Sequence, residues 1–132
     1  MTIDKIVHLF SEYIKKILYV CKKNDFVEIE FEQDYLRELY ELGKTSNKKY
    51  RFQPSVTKQF KNTIDKLRNA NRIEDLFPFK SLNYEKLVGD KAGLESVRVN
   101  QQYRIEFYSK ITGEEPDIIT ICSIVELSNH YK

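Results

Sequence analysis

Apolar side chains recur at Ile3, Ile6, Val7, Phe10, Tyr13, Ile14, Ile17, Leu18 and Cys21. Spacings of three and four predict an amphipathic helix of about five turns. FVEIEF, residues 26–31, then alternates apolar and acidic side chains, the pattern of a half-buried strand. DYLRELYELG places Tyr35, Leu36, Leu39, Tyr40 and Leu42 on a helical stripe and stops at Gly43, a residue suited to the left-handed position after a helix. After the loop TSNKKYRF, Pro54 opens another helix, with Val56, Phe60, Ile64 and Leu67 inward. RIEDLFPF reads as a short helical turn ended by Pro78. From Tyr84 the period changes to two, predicting strands at 84–88, 94–99 and 103–109. A further strand at 117–127 is nearly continuous in apolar residues, as expected of one buried on both faces. The order predicts an α+β fold: a small antiparallel sheet of about four to five strands packed on two helices, with an extra N-terminal amphipathic helix.

At 132 residues, 41% hydrophobic and 32% charged, the chain is expected to fold as one globular domain. Within it, residues 1–24 form the helical extension and 25–132 the main body. No apolar run approaches the roughly 20 residues of a membrane helix, and no cleavable leader is apparent, so a cytoplasmic protein with no membrane partner is expected. The polar face of the first helix, with Asp4, Lys5, Glu12, Lys15 and Lys16, favours packing on protein over lying on a membrane. Cys21 and Cys122 have neither disulfide-framework nor zinc-ligand spacing, so neither a disulfide framework nor a zinc site is signalled, and both read as buried small hydrophobes.

The formal charge of +2 hides an uneven distribution. From Asp25 to Glu41 there are seven acids against Arg37; from Lys44 to Arg72 there are nine bases against Asp65. A strip that basic suits a polyanion such as RNA, and equally a solvated helix face. Lys58, Lys61, Lys66 and Arg68 lie on the outward side of the predicted second helix.

The stretch VRVNQQYRIEF, residues 97–107, carries two arginines in strand-like sequence. Alternation puts Val97 and Val99 on one face with Tyr103, Ile105 and Phe107, and leaves Arg98, Arg104, Glu106 and Tyr108 on the other. Only a three-residue loop, Asn100 to Gln102, keeps both apolar sets together, and it sets Arg98 opposite Arg104. Two opposed arginines repel, an effect that Glu106 could offset. The pair reads either as a surface charge cluster or as a cationic clamp whose planar forks match phosphate oxygens.

LVGDKAGLESVRVNQQYRIEF, residues 87–107, followed by a hydrophobic strand and His130 close to the C-terminus, resembles the HigB branch of the RelE-like toxins of bacterial toxin-antitoxin modules. The likeness extends upstream through LGKTSNKKY to the strand at Phe26. The resemblance implies a RelE-like α+β endoribonuclease that cuts mRNA on the ribosome without a metal ion and is inhibited by a cognate antitoxin carrying a helix-turn-helix domain. It also implies an alternative, a RelE-like module that has lost catalysis and acts by binding RNA or antitoxin. By the same resemblance, Arg104 stabilises the phosphate and His130 is the acid, an imidazole ordinarily titrating near neutrality, while the hairpin register makes Arg98 the second clamp. Tyr131 could stack on a base or polarise a proton, and Glu126 is either the base or an exposed structural glutamate. Lys86 and Lys91 flank the Gly-Asp turn and, with Tyr103, Lys58, Lys61 and Arg68, make up the expected RNA contacts. The chain departs from many relatives in ending Ser128-Asn129-His130-Tyr131 where they have Asp-Tyr-His, and in Val88 where they have lysine.

Overall fold

The computed structural model describes residues 27–112 and 118–129. The N-terminal helix, Cys21, His130 and Tyr131 therefore lie outside the described residues. Strand β1 (Glu28–Phe31) leads into helix α1 (Asp34–Leu42) and helix α2 (Pro54–Asn69). Strands β2 (Glu85–Lys86), β3 (Glu95–Arg98), β4 (Tyr103–Ile111) and β5 (Ile119–Asn129) follow.

The strands form one five-stranded sheet in the order β1-β5-β4-β3-β2. It is mixed rather than antiparallel, because β1 runs parallel to β5, with Glu28 beside Ile121 and Phe31 beside Ile124. Alternation in FVEIEF reports which side is buried and carries no information about the direction of the neighbouring strand, which here is the last one in the chain.

Both helices cover one face of the sheet. Phe60, Ile64 and Leu67 of α2 and Tyr35, Leu36 and Leu39 of α1 are buried with Val97, Ile105, Phe107, Cys122, Ile124 and Leu127 of the strands. Leu42, expected on the inward stripe, is instead exposed at the end of α1. Gly43 then takes the left-handed conformation at φ 75°, its N–H donating to the Leu39 carbonyl at 3.1 Å. The expectation that 117–127 is buried on both faces also needs correction. Ile119, Cys122, Ile124 and Leu127 are buried towards the helices, whereas Ile121, Ser123 and Glu126 keep part of their surface. Irregular pairing between β4 and β5 near Glu106 and Phe107 inserts one extra residue in β5 and keeps both stretches in phase with the core. The carbonyl of Val125 at this irregularity accepts from Gln33 Nε2 at 2.7 Å, fastening the start of α1 to the sheet.

Tyr35 shows how tightly this layer is closed. Its ring stacks on Tyr50 with centroids 3.7 Å apart, and its hydroxyl oxygen accepts from the Leu127 N–H at 3.3 Å. Burial pushes the phenol from 10.0 up to about 12, partly opposed by that backbone hydrogen bond. A phenol that ionises near 10 when unfolded and near 12 when folded contributes stability in full below pH 10, and loses it as pH rises towards 12. Tyr35→Phe should therefore flatten the alkaline limb of the urea midpoint plotted against pH; an unchanged limb would show that Tyr35 is not a source of it.

Candidate active site

The arginine pair sits on the sheet face turned away from the helices. The strand register aligns Val97 with Ile105 and Arg98 with Arg104. The Val99 N–H donates to the Tyr103 carbonyl at 2.9 Å. The next pair inward, Arg98 and Arg104, is then of the closer, non-hydrogen-bonded kind, with Cα atoms roughly 4.5 Å apart. The loop is set by Asn100, whose Oδ1 accepts from the N–H groups of both Gln102 and Tyr103 at 2.8 Å. Its Nδ2 donates to Gln59 Oε1 of α2 at 2.9 Å, so the hairpin tip is tied to the helical layer.

Glu106 pairs with one of the two opposed guanidinium groups, that of Arg104. It is 1% exposed, two residues along the same strand from Arg104 and on the same face. Its Oε2 accepts from Arg104 Nη2 at 3.0 Å and from Lys91 Nζ at 2.7 Å. Ser128 Oγ, from the residue paired with Arg104 on β5, stands 3.5 Å from the same oxygen. The 3-10 turn Gly89–Lys91 thus brings the lysine of the Gly-Asp motif onto the arginine face. Gly89 adopts φ 69°, a conformation that favours glycine at the start of this turn.

A narrow cleft of about 10 Å³ lies between Asn83, Glu85, Ser96, Arg98 and Arg104. That volume holds one water-sized group. Glu85 pairs with Ser96 across β2 and β3, and its carboxylate Oε1 accepts from Asn83 Nδ2 at 3.2 Å. Sequence reasoning missed Glu85 and treated Glu106 only as a neighbouring charge. Alternation from Arg104 signals Glu106; Glu85 carries no such signal, because only the register between strands ten residues apart puts it beside Arg98.

The other predicted residues are distributed as follows. Glu126 lies on the arginine face directly opposite Glu106. Tyr103 faces the opposite side, its ring edge-on to Phe52 at 5.3 Å between centroids. Lys86 lines a groove of about 550 Å³ with Ile73, Phe77, Tyr84 and Ser109. Though far larger than the cleft, this groove has a mostly apolar wall and no opposed cations. At its edge Glu95, 8% exposed, accepts from Tyr84 Oη at 2.5 Å and from Ser109 Oγ at 2.6 Å.

The basic strip belongs to the helical layer. Lys58, Lys61 and Arg68 are exposed on α2. Lys61 Nζ lies 3.2 Å from Asp65, whose other oxygen accepts from Tyr40 Oη, and Arg68 donates to that same hydroxyl at 3.0 Å. The fold therefore brings Arg98, Arg104 and Lys91 together with Glu85, Glu106 and Glu126, and leaves Lys86, Tyr103 and the α2 cations elsewhere. Among the described residues no group of His, Cys, Asp and Glu side chains could hold a metal ion, and no helix is long and apolar enough to cross a membrane.

A family model described as RelE-like toxin of type II toxin-antitoxin system HigB matches residues 29–117. Among solved structures, the chain is similar to the YoeB/ParE toxin from Agrobacterium tumefaciens, at 12% identity over 80% of this chain and 100% of that one, with a TM-score of 0.45. It is also similar to a chain of the YoeB-YefM complex from Staphylococcus aureus, at 16% identity over 80% and 98%, with a TM-score of 0.42. No curated protein matches.

Proposed function

We propose that this chain, which belongs to the HigB-like family of RelE-like toxins of type II toxin-antitoxin systems, is a metal-independent endoribonuclease that cleaves mRNA on the ribosome and so inhibits translation. The observation that carries the reading is the register of the hairpin: Arg98 directly opposite Arg104, with the carboxylate of Glu85 lining the same cleft. Attack of a ribose 2′-oxygen on the adjacent phosphorus forms the O2′–P bond and breaks the P–O5′ bond. The products are a 2′,3′-cyclic phosphate and a free 5′-hydroxyl. The phosphorane between them carries more negative charge than the diester, which is what two positioned forks can stabilise.

The 2′-proton needs an acceptor and the 5′-oxygen a donor. Glu85 suits the acceptor better than Glu126, since it shares the cleft with both arginines while Glu126 lies beyond Glu106 on β5. His130 is the donor in this reading. It follows Ser128, the ladder partner of Arg104, by two residues, a chain span of at most about 7 Å. Tyr131 stacks on a base beside it. The cation strip of α2 serves a different task, gripping ribosomal RNA away from the cut. The toxin acts in the cytoplasm and is silenced in a hetero-oligomer with an antitoxin that bears a helix-turn-helix domain.

Purified protein added to ribosomes programmed with mRNA should yield fragments ending in a cyclic phosphate and beginning with a 5′-hydroxyl, and its expression should arrest growth. Intact transcripts and normal growth would leave a binding module in place of the enzyme. In the same system, replacing Lys58, Lys61 and Arg68 together by alanine should weaken ribosome association and reduce the slope of log affinity against log salt by about one unit per lost phosphate contact. An unchanged slope would make that helix face ordinary solvated surface.

A further inference from the structure

We propose that Glu106 is a positioning residue: its buried carboxylate fixes the guanidinium of Arg104 and the ammonium of Lys91 so that they meet a phosphate in one orientation. This rests on reading the arginine face as the RNA site, although the grip of Glu106 on Arg104 is testable without it. Glu106 is 1% exposed, whereas the side chains it holds are 20% exposed for Arg104 and 44% for Lys91. The carboxylate is therefore an internal anchor and the two cations are its outward ends. Both bonds converge on Oε2, so the two cations are set relative to one point on the central strand of the sheet.

Charge and cost argue the same way. A carboxylate so far from water is stabilised only if its partners stay in place, which ties the rotamers of Arg104 and Lys91 to the burial of Glu106. Arg98, Arg104 and Lys91 are matched in number by Glu85, Glu106 and Glu126 on the same face, so stabilising a phosphorane here depends on where the cations are held rather than on an excess of positive charge. Without Glu106, two arginines in a close ladder pair would repel and turn towards solvent, keeping charge at the site while losing its geometry. Stability alone does not call for this arrangement, because a well-packed apolar side chain of similar volume is often as stabilising as a buried ion pair.

The test uses the full chain with Glu106→Gln and Glu106→Met, the second being an apolar replacement of similar volume that keeps the fold should the amide disturb it. In ¹⁵N–¹H spectra of the arginine Nε–Hε groups, identified by the loss of one signal in Arg104→Ala, wild-type Arg104 should give a distinct, slowly exchanging resonance. Both Glu106 variants should move it into the averaged signal of solvent-exposed arginines. Cleavage on programmed ribosomes should fall on the order of 10²-fold in kcat with KM little changed, as for a misplaced catalytic group. The double variant Arg104→Ala with Glu106→Gln should be slower than Arg104→Ala alone by much less than Glu106→Gln slows the wild type, the remainder reflecting the lost hold on Lys91. An Arg104 resonance untouched in both variants, or effects that multiply in the double variant, would overturn the proposal. If Arg104→Ala cleaves like the wild type, the placement of the reaction on the arginine face falls instead, and the resonance alone decides whether Glu106 holds Arg104.

Discussion

Arg104→Ala is expected to lower the rate of mRNA cleavage on programmed ribosomes by about 10²- to 10³-fold, the range typical of removing one preorganised donor to a developing negative charge. The size follows from how the side chain is held. Its Nη2 is 3.0 Å from a carboxylate that is itself buried, so the fork is presented before substrate arrives. Donors that need no reorganisation stabilise charge more than mobile ones do. Arg104→Lys keeps the charge but loses the planar fork, and should recover less than roughly a tenth of the lost rate. Arg98→Ala should cost less, about 10-fold, because Arg104 and Lys91 would still face the phosphate with Glu106 in place. Growth arrest on expression should weaken in the same order. A rate for Arg104→Ala within about threefold of wild type would remove the arginine pair from the chemistry, whatever its role in binding.

Much of this arrangement was legible in the chain itself, and the reasons differ from feature to feature. The hairpin is the clearest case. Val97, Val99, Tyr103 and Ile105 can share a face only if the loop is Asn100 to Gln102, so the side-chain period of two fixes the pairing of Arg98 with Arg104 without any structural knowledge. The two helices were equally plain, because Gly43 and Pro54 mark an end and a beginning that backbone sterics enforce. Features that depend on contacts distant in sequence were not legible. The parallel pairing of Glu28 with Ile121 joins residues at opposite ends of the described chain. The position of Glu85 beside Arg98 depends on how far β2 slides along β3. Glu106 alternates correctly with Arg104, yet the pattern gave no sign that a carboxylate on that face would be buried. That burial depends in part on the turn at Gly89, which brings Lys91 across the strand.

Phe107→Ala is expected to give the largest loss of stability, about 3–5 kcal/mol, the usual cost of removing a buried aromatic ring. Phe107 is fully buried on β4, opposite Glu95 of β3 on one side and Ile124 of β5 on the other. It lies directly beside Glu106 at the irregularity where the β4 and β5 ladder shifts register. Collapse around the missing ring is restricted, because α1 and α2 close the core from the helical side and the sheet continues on both flanks. Set against the 5–15 kcal/mol that ordinarily separates folded from unfolded domains, the loss consumes a large share. In urea unfolding followed by circular dichroism it should appear as a lower midpoint with an unchanged slope. Phe107→Leu, which keeps much of the volume, should recover more than half of the difference. Because the ring and the Glu106 carboxylate point to opposite faces of one strand, the folded fraction of Phe107→Leu should still cleave RNA with its arginine pair in register. A Phe107→Leu protein that is folded yet inactive would mean that the core side of β4 sets the geometry of Glu106 and Arg104 more finely than alternation alone implies.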